Sequence, residues 1–188
     1  MPWRYRLIVL LCILCSGCAR AHYQRTHAGT LKGKLVVEWM EPDLFLFRRD
    51  PKDPLTFTRS DGTRIEPQAM LTDGGSIPRP MWVFRNYSPW GYGPAFVIHD
   101  WLFHVENCQL AGYDSWTLDV AATVMSEVMK TLMENPKFKY GDQISMYSMY
   151  LAVRSPPARA AWEHGKCLEP PSDSADYWRP SLKFVVQY

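Results

Sequence analysis

The stretch FVIHDWLFH, Phe96 to His104, sets the only His-Asp dipeptide of the chain in an almost unbroken apolar run. Ionisable groups are costly to bury unless they are paired, hydrogen-bonded or metal-bound. His99 and Asp100 are therefore either satisfied polar groups of a core or parts of a site. An imidazole is the side chain best suited to general-base work near neutral pH. A carboxylate beside it suits a hard cation or a loop cap. Two further stretches add candidates: TDGGSIPR, Thr72 to Arg79, supplies Asp73 and Ser76, and Asp119 follows the His-Asp pair. Consecutive helical residues point about 100° apart, so His99 and Asp100 serve different partners. The imidazole then needs a partner from another element, and Asp119 is the candidate, fixing one ring nitrogen and raising the basicity of the other. That leaves Asp100, with Asp73, to hold a divalent cation. Ser76, His99 and Asp119 are also the types of a nucleophile, base and orienting acid. GGSIP lacks the strand–turn–helix elbow of G-x-S-x-G, which makes water the better nucleophile. Zinc fits poorly, because His104 lies five residues from His99 and no H-E-x-x-H occurs. The competing account is structural. Asp73 with Gly74 and Gly75 forms a turn, His99 donates to a carbonyl, and Asp100 completes a core polar network.

These residues need elements to position them. Leu31, Leu35, Val37 and Trp39 recur at strand-like spacing, and Asp43 to Phe47 makes a second strand after the Glu41-Pro42 break. Leu55 to Thr58 is a third, followed by the turn Ser60-Asp61-Gly62-Thr63 into Arg64-Ile65; Asp-Gly between β-prone runs is a strong hairpin signal. Pro94 suits a first helical turn, and Ala95 to Val105 follow as a buried helix carrying His99 and Asp100. Ser115 or Thr117 caps a second helix, in which Leu118, Ala122, Met125, Met129 and Leu132 mark one face to about Met133. Asp142 caps a third, which runs through Tyr147, Tyr150 and Arg154 until Pro156-Pro157 end it. Strands first and helices afterwards predict a single α+β domain: a small N-terminal antiparallel sheet, then about three helices.

Four ordered motifs now stand together: TDGGSIPR, HDWLF (His99 to Phe103), Asp119 in the next helix, and MYLAVR (Met149 to Arg154). In them the chain resembles domain-of-unknown-function family 1353, found in bacteria and phages, over roughly Gly33 to Arg154. The resemblance implies the fold and no settled activity. The His-Asp pair followed by a second-helix Asp is also similar to the secreted phospholipase A-two family. That likeness implies His99 as a water-activating base, Asp119 supporting it, and Asp100 as a calcium ligand. The glycine- and cysteine-rich calcium loop of those enzymes and the cysteines flanking their His-Asp pair are missing here.

The first residues stand apart from the domain. Arg4 and Arg6 precede LIVLLCILCSGC, a basic and then apolar pattern typical of a signal peptide, too short for a comfortable transmembrane helix. Ser16-Gly17-Cys18 looks like a lipobox, with Cys15 where a Leu is usual. Residues 1–17 are then removed and Cys18 is acylated. Ala19 follows, with no Asp there, which resembles lipoproteins sorted to the outer membrane. The expected organisation is a polar tether over 18–30, the α+β domain over 31–155, and an irregular Pro-rich tail over 156–188. Cys108 and Cys167 are the pair left in an oxidising space, where a disulfide is plausible. Without Arg4 and Arg6 the 21 basic residues become 19, against 19 acidic ones, and no basic cluster points to nucleic acid. The expected partner is a membrane, reached through the lipid, with the domain facing the periplasm. Two functions remain open. One is a calcium-assisted hydrolase of a lipid or envelope ester, with the His99/Asp119 centre and Asp100 and Asp73 on the metal. The other is a non-catalytic envelope or phage-related interaction protein whose cluster is structural.

Overall fold

The computed structural model describes residues 16–40, 44–73, 91–138, 141–170 and 182–188. The chain forms an α+β domain with mostly N-terminal strands followed by helices. Its strands are β1 (Thr30–Lys32), β2 (Lys34–Met40), β3 (Leu44–Arg48), β4 (Thr56–Thr58), β5 (Arg64–Ile65), β6 (Met70–Thr72) and β7 (Leu182–Gln187). They make two antiparallel sheets rather than one, in the orders β1-β4-β5 and β6-β3-β2-β7. The alternation expected from Leu31 through Trp39 is interrupted at Gly33, which hands the chain from one sheet to the other. Gly33 has φ +95, and a Cβ there would meet the Pro54 carbonyl oxygen at 2.1 Å. Only glycine reconciles that conformation with that approach. The Asp-Gly turn closes β4 onto β5, with Arg59 N–H donating to Thr63 O and the Asp61 carboxylate accepting from Thr63 N–H.

The helices are α1 (residues 16–25), α2 (Gly93–Asn107), α3 (Leu118–Glu134), α4 (Gln143–Ala152) and α5 (Pro156–His164). Pro94 stands in the first turn of α2. Thr117 caps α3 by accepting from Val120 N–H, and Asp142 caps α4 by accepting from Ser145 N–H. α2 is buried on nearly every side, and Phe96, Ile98 and Leu102 are among its least exposed side chains. Ala121, Val124, Met125, Val128 and Met129 of α3 pack in the same core, together with Phe45 and Phe47 of β3. Each large side chain sealed there contributes roughly 1.5–3 kcal/mol.

Two expectations about the ends need correction. Residues 18–30 are not a polar tether: α1 occupies their first part, with Ala19 1% and Thr26 7% exposed. The His22 ring Nε2 lies 3.1 Å from Ser126 Oγ on α3, and the ring packs at a tilt with its centroid 4.2 Å from that of Tyr150 on α4. Lys130 of α3 donates to the carbonyls of Tyr23 and Thr26 at the C-terminal end of α1, where a cation complements the helix dipole. The expected irregular tail over 156–188 likewise contains a helix, α5, and a strand, β7. α4 stops at Ala152, before Pro156 and Pro157, and those prolines open α5, because proline fits the first helical turn. β7 then returns to pair antiparallel with β2, Leu35 opposite Val186 and Val37 opposite Phe184.

Candidate functional site

β6 and α2 meet at the candidate site. Thr72 ends β6, Asp73 follows it, and α2 presents His99 and Asp100 towards that strand end. The Thr72 hydroxyl donates to Asp100 Oδ2 in a short contact. His99 is 4% exposed, and its Nδ1 lies 3.2 Å from the carbonyl oxygen of Ala121 on α3. Against a carbonyl the ring nitrogen must donate, so Nδ1 carries the proton and Nε2 the lone pair. The ring also packs 4.9 Å from Phe103. Burial holds His99 down at about 4, against the opposing pull of the Ala121 carbonyl and the Asp73 charge. Burial and the Asp73 charge push Asp100 up to about 8, against the Thr72 hydroxyl. At neutral pH the junction therefore contains a neutral imidazole and a largely protonated carboxyl, with Asp73 acting on both.

Asp119 is elsewhere. It lies in the first turn of α3, where an acidic residue is favoured by the helix dipole, with its side chain 62% exposed and its Oδ1 accepting from Arg154 Nε at 2.7 Å. Arg154 also donates to the Tyr150 hydroxyl at 2.8 Å. The reason is helical geometry. Leu118, Ala121, Ala122 and Met125 face the core, and Asp119 turns away from that stripe at about 100° per residue. Asp119 was expected to orient His99; the atom beside the ring is instead the backbone carbonyl of Ala121, two residues further along α3. The pairing of His99 with Asp119 implied by the phospholipase likeness is not the arrangement in this chain. Ser76 lies outside the described residues. Among the described residues no group of three or more His, Cys, Asp or Glu side chains converges as a metal site.

The sequence pointed to Asp73, His99 and Asp100, which the fold brings to one junction. It did not single out Thr72 or the Ala121 carbonyl. The hydroxyl of a Thr preceding Asp73 was the available signal for the first; a backbone acceptor leaves none. His104 stacks on Trp101 and sits 3.6 Å, through Nδ1, from Cys108 Sγ. Cys108 is bonded to Cys167, joining the end of α2 to the segment after α5.

With this geometry in hand, the comparisons with known proteins are informative in one respect. The family model described as "Protein of unknown function (DUF1353)" matches residues 52–153. The chain belongs to this family. The DUF1353 match runs from just after β3 to just past α4, so Asp73, His99, Asp100 and Asp119 all lie within it. Cys18, α1, the strands β1 to β3, α5, Cys167 and β7 lie outside. No curated protein and no solved structure matches the chain.

Proposed function

We propose that this DUF1353 protein is a non-catalytic module of the bacterial envelope, anchored by acylation of Cys18 and facing the periplasm from the outer membrane. Its His-Asp cluster fastens α2 to β6 and α3. The observation that carries this reading is the division of partners. His99 is buried with its ring N–H on the Ala121 carbonyl, while Asp119 is committed to Arg154 at the surface. Buried polar groups placed this way specify one packing of the helices against the sheet. Cys18 is exposed at the start of the described chain, and the signal pattern and lipobox-like Ser16-Gly17-Cys18 support its acylation.

A second reading keeps the hydrolase, and one observation favours it. Asp73 acts electrostatically on both His99 and Asp100, so three groups with complementary roles share one junction. In that account Asp73 and Asp100 hold calcium, which takes six to eight oxygen ligands, and His99 Nε2 accepts a proton from water attacking a lipid or envelope ester. A bound cation would also draw Asp100 back to its ionised form.

Calorimetry with calcium on the full chain separates the two readings. The structural reading expects no saturable heat for wild type, and an Asp100→Asn variant that differs only in stability. Saturable binding lost in Asp100→Asn, with ester hydrolysis lost in His99→Gln, would establish the hydrolase instead. Incorporation of labelled palmitate into wild type but not Cys18→Ser tests the anchor separately.

A further inference from the structure

We propose that the outward face of α4, marked by Ile144 and Leu151, lies against the bilayer to which Cys18 is attached. The proposal rests on the reading that Cys18 carries a lipid. It starts from composition: α4 reads QISMYSMYLA and has no charged residue over its length. A helix at a protein surface ordinarily turns charged and polar residues to water. Here Ser145, Met146 and Met149 are buried, and the rings of Tyr147 and Tyr150 pack at a tilt against His22 of α1. The remaining direction carries Ile144, 54% exposed, and Leu151, 48% exposed. They stand seven residues apart, two helical turns along one stripe.

Single exposed aliphatic residues are ordinary on protein surfaces. What selects a bilayer here is the position of the anchor. α1 is held to the domain by Lys130, by the His22 contacts, and by Gly29 N–H donating to Thr131 Oγ1. Cys18 therefore stands one residue from the buried Ala19, with no slack between the acylated sulfur and the domain surface. A shallow groove near it is lined by Ala19 and Arg20 of α1, Met133 of α3, the capping Asp142, and Gln143 and Ile144 of α4. The anchor thus emerges next to the uncharged face of α4, and a lipid held there must bring that face to the membrane. Arg20, exposed at the same edge, suits anionic headgroups, and tyrosines are favoured at the interface with them.

The test uses the acylated chain that begins at Cys18, without Cys12 and Cys15, in vesicles of phosphatidylethanolamine and phosphatidylglycerol. With Cys18 acylated and Cys108 bonded to Cys167, a single new thiol takes an environment-sensitive dye in Ile144→Cys, Leu151→Cys or Lys52→Cys. Lys52 is exposed on the turn after β3 and serves as the remote position. The expected result is a blue shift at 144 and 151, with iodide quenching several-fold weaker there than at 52. Equal quenching at all three positions, in protein that floats with the vesicles, would overturn the orientation and leave the anchor standing. Absence of palmitate and of flotation would overturn both.

Discussion

The imidazole and the carboxyl of the HD dipeptide are perturbed in opposite directions, and the consequence is a measurable pH dependence. His99 titrates at about 4 in the fold against an ordinary 6.5, so between those values the unfolded chain binds more protons and stability rises with pH. Asp100 titrates at about 8 against an ordinary 3.8, so over that range the folded chain holds the extra proton and stability falls with pH. The two slopes oppose each other below pH 6.5, and above it only Asp100 acts. Asp100→Asn, which mimics the protonated carboxyl, should gain on wild type by roughly 1.5 kcal/mol between pH 6.5 and pH 8, the slope of about 1.4 kcal/mol per pH unit halving as pH reaches 8. Chemical denaturation of both proteins across that window checks it, and parallel curves would contradict the burial of Asp100. Asp119 gives the complementary prediction. As one half of an exposed pair with Arg154, it should cost less than about 1 kcal/mol when changed to Asn. A loss of several kcal/mol in the same denaturation experiment would mean that Asp119 does reach the core. The types and the order of these residues were legible in the sequence because buried ionisable groups are rare. The partner of His99 was not, because backbone carbonyls are present at every position and only packing chooses among them.

Among the elements, α1 shows why a polar stretch is hard to read. Its docking face is Ala19, His22, Tyr23 and Thr26, which recur at helical spacing, but His22 and Thr26 are polar and so no apolar stripe is visible. His22→Ala should therefore destabilise the domain by about 1–2 kcal/mol, through the lost Ser126 contact and the lost ring contact with Tyr150; a free tether would show no change in thermal unfolding. His22 is held below its ordinary 6.5 by burial and by the Arg154 charge. Its neutral form is thus the one that docks. The α1 contribution should be full above pH 6.5 and decline as pH falls below it, a trend absent in His22→Gln. The helices α2, α3 and α4 were legible because their apolar spacing, caps and prolines agree with one another. β7 was not, since a six-residue strand after a Pro- and Ser-rich stretch acquires meaning only from β2, at the far end of the sequence.

At the scale of the molecule, the Cys108–Cys167 bond closes a loop of 59 residues that includes α3, α4 and α5. In the chain-entropy account a loop of that length is worth about 4 kcal/mol. Reduction, or the paired change Cys108→Ser with Cys167→Ser, should lower the unfolding free energy by about 2–5 kcal/mol, measured by denaturant titration with and without reductant. The sheet order β6-β3-β2-β7 carries a different kind of consequence, one of timing. β2 precedes the helices in the chain, but the strand that covers one of its edges follows them. Until then Lys34 to Met40 offers unsatisfied N–H and C=O groups to any neighbouring chain. The interval of exposure is set by how fast synthesis delivers β7, not by how fast the sheet can close. Slowing delivery should raise aggregation without altering the stability of the finished protein.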